Sequence, residues 1–178
     1  MQKEENHSGE EIKRVAAVCG LYCEACALFI ATTDDPARLK PLAERFQVSE
    51  EAVKCYGCRA DKRGPYCDTC KMFACAVERG IGFCIECTEY PCDELKEFQS
   101  AMPHRIELFE DLERIGAAGF EEWLKEISGN YTCPQCHTIN STYDIQCREC
   151  GQEPSCNYVA KHKKEIELFL NSRNQQKP

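Results

Sequence analysis

The stretch CYGCRADKRGPYCDTCKMFACAVERGIGFCIECTEYPC, residues 55–92, holds eight cysteines and decides how this chain folds. Six of them form pairs that are two residues apart: Cys55 and Cys58, Cys67 and Cys70, Cys84 and Cys87. Two thiolates at this spacing can bind one ion from a tight turn, which is the usual half-site of a tetrahedral zinc centre. A disulfide closing so short a loop would be strained. The stretch therefore predicts a protein organised by metal.

A second cysteine pattern follows at residues 130–151. Cys133-x2-Cys136, ten residues and then Cys147-x2-Cys150 are typical of a zinc ribbon, in which two hairpin tips clamp one ion. Gly151 can supply the left-handed residue after the second pair. His137 stands where the first pair is commonly followed by glycine, and it could alternatively serve as a spare ligand.

Composition favours a cytoplasmic protein with reduced thiols. The chain has 178 residues, sixteen cysteines and a net charge of −8. Its N-terminal residues show no secretory signal pattern, and no apolar run reaches the ~18 residues that a membrane span needs. Disulfides are rare in reducing compartments, so we expect the thiols to bind zinc. Because binding to phosphates needs a basic face, the acidic charge makes a protein partner more favourable than nucleic acid.

Fifteen cysteines are candidate zinc ligands, which would hold about two to four ions per chain. They are Cys19, Cys23, Cys26, Cys55, Cys58, Cys67, Cys70, Cys75, Cys84, Cys87, Cys92, Cys133, Cys136, Cys147 and Cys150. Cys156 lies outside these patterns and is expected to be a buried or free thiol.

Two partitions of the eleven cysteines before residue 93 remain open. In the local partition, one ion is bound by Cys55, Cys58, Cys67 and Cys70, and another by Cys75, Cys84, Cys87 and Cys92. In the cross-braced partition, the pair Cys23 and Cys26 shares an ion with a later pair. Spacing alone does not choose between them.

Turn residues and helical periodicity divide the rest of the chain. We expect a mainly α fold with irregular zinc-knuckle loops, in which a small helical zinc-binding domain precedes a β zinc ribbon. The predicted segments are a disordered leader at 1–14, a cysteine-rich zinc-binding domain at 15–102, a helical linker pair at 103–129, a ribbon plus C-terminal helix at 130–171, and a tail at 172–178.

No catalytic motif is present: the sequence has no nucleophile elbow, P-loop or H-E-x-x-H helix. We therefore expect an interaction module held by structural zinc rather than an enzyme. The alternative is a thiol redox sensor or metal-handling protein, because Arg59, Lys62 and Arg63 could activate a neighbouring thiolate and Cys156 could be a reactive thiol. A more remote alternative is an iron–sulfur protein, since Cys19-x3-Cys23-x2-Cys26 can hold a cluster.

The cysteine motifs together resemble a bacterial and archaeal cysteine-rich family, catalogued as a domain of unknown function, number thirty-seven ninety-five. The resemblance spans about residues 15 to 100 and rests on five motifs: Cys19-Gly-Leu-x-Cys23-x2-Cys26, Cys55-x-Gly-Cys58, Lys71 through Cys75-Ala76, Cys84-x2-Cys87 and Tyr90-Pro91-Cys92. Longer members are similar onward, through a helical pair and a C-terminal ribbon. The resemblance implies a cytosolic zinc-binding protein without an established activity.

Overall fold

The structure is a computed structural model that describes residues 12–175. Most of the leader predicted at residues 1–14, and the end of the predicted tail, lie outside the described residues. The α-helices are α1 (Ala27–Thr33), α2 (Leu39–Phe46), α3 (Glu50–Val53), α4 (Pro65–Asp68), α5 (Lys71–Arg79), α6 (Asp93–Ser100), α7 (Leu108–Ala118), α8 (Phe120–Tyr131) and α9 (Asn157–Gln175). Short 3-10 turns lie at Cys23–Ala25, Pro36–Arg38, Cys84–Glu86 and Pro103–Arg105.

Local chemistry explains where several of these helices begin and end. Helix α3 begins after Ser49, whose hydroxyl oxygen accepts a hydrogen bond from the Ala52 amide at 3.1 Å. Helix α5 ends at Gly80, which adopts the left-handed conformation with φ +66°. Helix α4 begins with Pro65, which is suited to a first helical turn. The mainly helical prediction is therefore confirmed.

The main core forms where α7, α8 and α9 pack around residues 15–22, which fold back on themselves through a bridge between Ala16 and Tyr22. Trp123 is almost completely buried, and its indole nitrogen donates to the Asp111 carboxylate at 2.9 Å. The Tyr22 ring lies edge-on to Trp123, with 6.3 Å between ring centroids. Tyr131 at the end of α8 stacks on Tyr158 in the first turn of α9, with 5.0 Å between centroids. Aromatic stacking thus joins the two C-terminal helices to the core.

Residues 12–14 contact the body of the protein. The Lys13 ammonium lies 5.4 Å from the ring centroids of both Phe83 and Phe120. A side chain at Gly57 would place a Cβ atom 2.5 Å from the Arg14 carbonyl oxygen, and Gly57 has φ +116°. Only glycine fits there, so the pair Cys55 and Cys58 turns directly against this N-terminal segment.

The predicted β zinc ribbon is wrong. In residues 12–175 no strand is formed, and the ribbon region contributes a single antiparallel bridge between Thr132 and Ile139. A ladder cannot continue past this bridge, because the chain turns at Ser141–Asp144. The Asp144 amide donates to the Ser141 carbonyl at 2.9 Å, and the Ser141 amide donates to the Asp144 carboxylate at 3.0 Å. Backbone groups that would join two strands are therefore used within one turn.

No helix in the described part of the chain is both long and apolar enough to cross a bilayer.

Candidate metal centre

Two turns of the same design carry the cysteines between α8 and α9. In the first turn the Cys133 amide donates to the Thr138 carbonyl at 2.9 Å, and the His137 amide donates to the Cys133 carbonyl at 3.0 Å. The second turn has the same bonds: the Cys147 amide donates to the Gln152 carbonyl at 2.8 Å, and the Gly151 amide donates to the Cys147 carbonyl at 2.9 Å. Each turn thus presents two thiols from one tight loop, as in a zinc knuckle.

His137 and Gly151 occupy equivalent positions in the two turns, four residues after the first cysteine of each. Both have a left-handed backbone, with φ +62° at His137 and +76° at Gly151. Histidine tolerates this conformation at some conformational cost, whereas glycine adopts it freely. His137 therefore substitutes for the expected glycine, and it does not belong to the group of converging ligands.

The four C-terminal sulfurs converge on one point. The Sγ atoms of Cys133, Cys136, Cys147 and Cys150 all lie within 4.8 Å of one another. Cys133 and Cys150 are 3.7 Å apart, and Cys136 and Cys147 are 3.5 Å apart. Four thiolates at ~2.3 Å from one tetrahedral ion would have their sulfurs ~3.8 Å apart. The group could therefore hold a metal ion.

Hydrogen bonds favour the thiolate form of Cys147 in particular. Burial opposes ionisation of Cys147, but bonds from the Cys150 and Glu149 amides and from the Asn140 side chain outweigh it and lower the pKa of Cys147 to about 6. The Gln135 amide points at the Cys133 sulfur, at 3.4 Å. Metal binding requires the thiolate form, so these donors favour an ion at neutral pH.

Asn140 connects the two turns, and no sequence pattern pointed to it. Its side chain is fully buried, and its amide nitrogen donates to the Thr138 carbonyl at 3.0 Å and to the Cys147 sulfur at 3.5 Å. Its oxygen accepts from the Arg148 amide at 3.0 Å. One side chain therefore fixes both cysteine pairs at once. A polar residue between two knuckles has no distinctive spacing, so the sequence offered no signal for it.

Ion pairs attach this region to the N-terminal half of the protein. Arg148, inside the second turn, pairs with Asp34 after α1 and also donates to the Ile139 carbonyl at 2.9 Å. Arg38 donates to both carboxylate oxygens of Asp144 at 3.0 Å. Both bonds come from one guanidinium nitrogen, and such charge-assisted bonds are stronger than neutral ones. The candidate metal centre therefore has a defined position against α1 and α2.

The eleven N-terminal cysteines form three adjoining neighbourhoods, and in the first of them Cys26 packs against the core cluster that contains Cys55. The Cys67 thiol donates a hydrogen bond that lowers the pKa of Cys55 to about 6. Burial and then the charge of Cys55 raise the pKa of Cys26. The hydrogen bond to Cys55, burial and the charges of Cys26 and Cys23 raise the pKa of Cys67. These effects require proximity, so the structure places the Cys23–Cys26 pair beside Cys55 and Cys67.

In the second neighbourhood, Cys58 and Cys70 adjoin Cys19. Burial and then the charges of Cys58, Cys84 and Cys70 raise the pKa of Cys19. The two neighbourhoods adjoin, because burial and then the charge of Cys58 raise the pKa of Cys23, whose sulfur also accepts a hydrogen bond from the Cys58 amide.

The third neighbourhood contains Cys75, Cys84, Cys87 and Cys92, which line one cavity. Burial and then the charges of Cys92 and Cys75 raise the pKa of Cys84 to about 12. Among the residues that the structure describes, however, only the C-terminal four bring three or more ligand atoms within 4.8 Å of one another. The N-terminal sulfurs are therefore close but more widely spaced.

Of the residues proposed for thiol reactivity, Cys156 and Lys62 are engaged elsewhere, whereas Arg59 and Arg63 carry charges near the Cys58 sulfur. Cys156 is 1 % exposed, and burial raises its pKa. Lys62 pairs with Glu51 on α3. Arg59 donates to the Ala16 carbonyl at 3.1 Å, although its charge also lies near Cys58. An inaccessible thiol with a raised pKa is a poor nucleophile, so Cys156 does not support a redox role.

Fold and site together define a mainly helical, cysteine-rich protein with a four-thiol cluster that could bind a metal. Residues 15–97 match the model of a family described as a protein of unknown function (DUF3795), so this part of the chain is a domain of that family. The family predicted from the cysteine motifs is confirmed. No curated protein matches the chain significantly. No solved structure does so either.

Proposed function

We propose that this protein is a zinc-stabilised interaction module, with a structural zinc ion bound by Cys133, Cys136, Cys147 and Cys150. The observation that carries the proposal is the convergence of these four sulfurs within 4.8 Å. Four thiolates fill a tetrahedral zinc ion completely, leaving no position for water or substrate. This ligand set favours a structural ion over a catalytic one.

The position of the centre supports a structural role. Helix α8 ends at Tyr131, two residues before Cys133, and α9 begins at Asn157, seven residues after Cys150. An ion at this point would fix the path between the two helices, whose aromatic residues stack in the core. Most of the connecting segment is irregular, so metal ligation would replace the stability that a sheet would provide.

A protein is the partner that we propose. The net charge of −8 opposes binding to phosphates. The one basic run, Lys161-His162-Lys163-Lys164, is partly neutralised because Lys161 pairs with Glu107 at 3.2 Å and Lys163 pairs with Glu153. All sixteen cysteines are free thiols, which supports a reducing, cytoplasmic setting.

Zinc measurement on matched variants tests the structural ion. Cys133→Ser removes a buried ligand and Cys150→Ser an exposed one, so each should lose about one zinc ion per chain. Cys156→Ala is the control, because this buried thiol lies outside the cluster and should leave the zinc content unchanged. A Cys133→Ser protein that is folded and retains every zinc ion would contradict the proposal.

Peroxide titration separates this proposal from the redox alternative. Zinc release should be slow and should accompany loss of helical circular dichroism, because four thiolates fill the coordination of the ion and two of them, Cys133 and Cys147, are buried. Rapid release at low peroxide, reversed by a thiol reductant without unfolding, would favour a sensor instead.

A further inference from the structure

A cavity of about 250 Å³ lies between α5, the turn at Cys84–Glu86 and the start of α6. Four cysteines line it: Cys75 from α5, Cys84 and Cys87 from the turn, and Cys92 just before α6. The rest of its wall is largely apolar and includes Met72 and Leu95, both of which are buried. Four thiols that line one largely apolar cavity can act together as a ligand set.

The spacing of these thiols differs from that of the C-terminal centre. The C-terminal sulfurs are separated by 3.5–3.7 Å across the centre, which fits a single ion. Within the described residues no other three ligand atoms are all within 4.8 Å of one another, so no three sulfurs of this cavity converge in that way. The ligand sulfurs of a four-iron cluster are about 6 Å apart, because iron and sulfide ions lie between them. The open volume that the four thiols line therefore leaves room for the iron and sulfide ions of a cluster.

Donors around Cys87 suit a cluster ligand. The Arg79 guanidinium donates to the Cys87 sulfur at 3.4 Å, and the Glu89 amide lies 3.5 Å from the same sulfur. Arg79 is itself held by Glu89 at 3.0 Å. Hydrogen bonds to cluster sulfurs, and a nearby positive charge, offset the negative charge of thiolate-ligated iron.

We propose that Cys75, Cys84, Cys87 and Cys92 bind an iron–sulfur cluster of the four-iron type in this cavity. The cluster takes the place of the zinc that the sequence predicts at these four positions. It is independent of the C-terminal zinc centre, since the two sites share no residue. Because Cys75 is exposed, the cluster would lie near the protein surface.

Full-length protein produced with iron and sulfide and purified without oxygen provides the test. It should be brown, absorb near 400 nm and contain about four iron atoms and four acid-labile sulfides per chain, together with the C-terminal zinc. Cys92→Ala should lose iron and sulfide but retain that zinc. Cys150→Ser should lose the C-terminal zinc but retain iron and sulfide. Cys156→Ala should retain zinc, iron and sulfide.

Two further variants keep the test decisive if Cys92→Ala fails to fold. Cys75→Ser changes the exposed ligand and should also remove iron and sulfide. Arg79→Ala removes the donor to Cys87, so it should retain the cluster but shift its reduction potential to a more negative value. Wild-type protein that binds zinc but neither iron nor sulfide under these conditions would overturn the proposal. The C-terminal zinc centre would stand unaffected by that result.

Discussion

Replacing Asn140 by alanine should weaken zinc binding at the C-terminal centre more than any other change outside the four cysteines. The side chain makes bonds of 3.0 Å to the Thr138 carbonyl and 3.0 Å from the Arg148 amide, and weaker ones to Ser155 and Cys147 at 3.4 and 3.5 Å. In the variant the Thr138 carbonyl would still accept a hydrogen bond from the Cys133 amide. The Arg148 amide has no other hydrogen-bond partner among the described residues.

The magnitude follows from these contacts. One buried group left without a partner costs about 1–3 kcal/mol, and each further hydrogen bond lost costs about 1 kcal/mol. Counting about 2 kcal/mol for the Arg148 amide and about 1 kcal/mol for the Thr138 bond, and neglecting the two longer bonds, the sum is roughly 3 kcal/mol. At 1.4 kcal/mol per tenfold change, this corresponds to about a hundredfold loss of zinc affinity, which is the upper end of the effect expected for residues that hold metal ligands in place.

Competition with a coloured zinc chelator measures the change directly. Asn171→Ala is the matched control, because Asn171 lies in α9, is exposed and contacts no cysteine. It should bind zinc as tightly as the wild type. If Asn140→Ala stays within twofold of the wild type, the hydrogen bonds of this side chain do not organise the centre and the reasoning fails.

Three other changes probe the turns, the docking and the core. His137→Val should bind zinc less tightly than His137→Gly by about 1–2 kcal/mol, because the backbone there has φ +62° and a β-branched residue strains that conformation; the chelator assay measures this. A double-mutant cycle on Arg38 and Asp144, with urea unfolding, should give a coupling of about 1–2 kcal/mol, and a coupling near zero would show that the pair does not hold the segment. Burial raises the pKa of Asp111 to about 7, so its contribution to stability is full below pH ~4 and lost as pH rises through 7. From pH 5 to pH 8, the free energy of unfolding of Asp111→Asn should therefore rise by about 2–3 kcal/mol relative to that of the wild type, as measured by urea unfolding. A difference between the two proteins that does not change with pH would contradict this prediction.

The sequence predicted those features that depend on neighbours in the chain. Two-residue gaps between cysteines fix which thiols share a turn, so the pairs Cys133–Cys136 and Cys147–Cys150 could be recognised from their spacing alone. Helix α5 was also predictable, since its apolar face and Gly80 lie within ten residues. The helical pair α7 and α8 was predicted from the same kind of periodicity.

Features that depend on distant contacts were not predictable. The partition of the N-terminal cysteines requires knowing that residues 23–26 pack beside residues 55–67, and no spacing rule encodes that proximity. The pair between Arg38 and Asp144 joins positions far apart in the chain. Asn140 bonds to residues nearer in the chain, but an isolated asparagine has many ordinary uses and no distinctive spacing. Such residues become recognisable only when their burial and bonds are known.

The prediction of a ribbon placed the four cysteines together correctly but predicted strands that the described residues do not form. A sheet would position two knuckles through backbone ladders, but here each knuckle is closed by its own backbone bonds and the two are joined by Asn140. Outer contacts are then supplied by ion pairs to Asp34 and Arg38 rather than by a strand neighbour. Cysteine spacing therefore specifies the candidate metal site but not the scaffold behind it. In this chain that scaffold is built from side chains, so its stability should depend more on single substitutions than that of a hydrogen-bonded sheet.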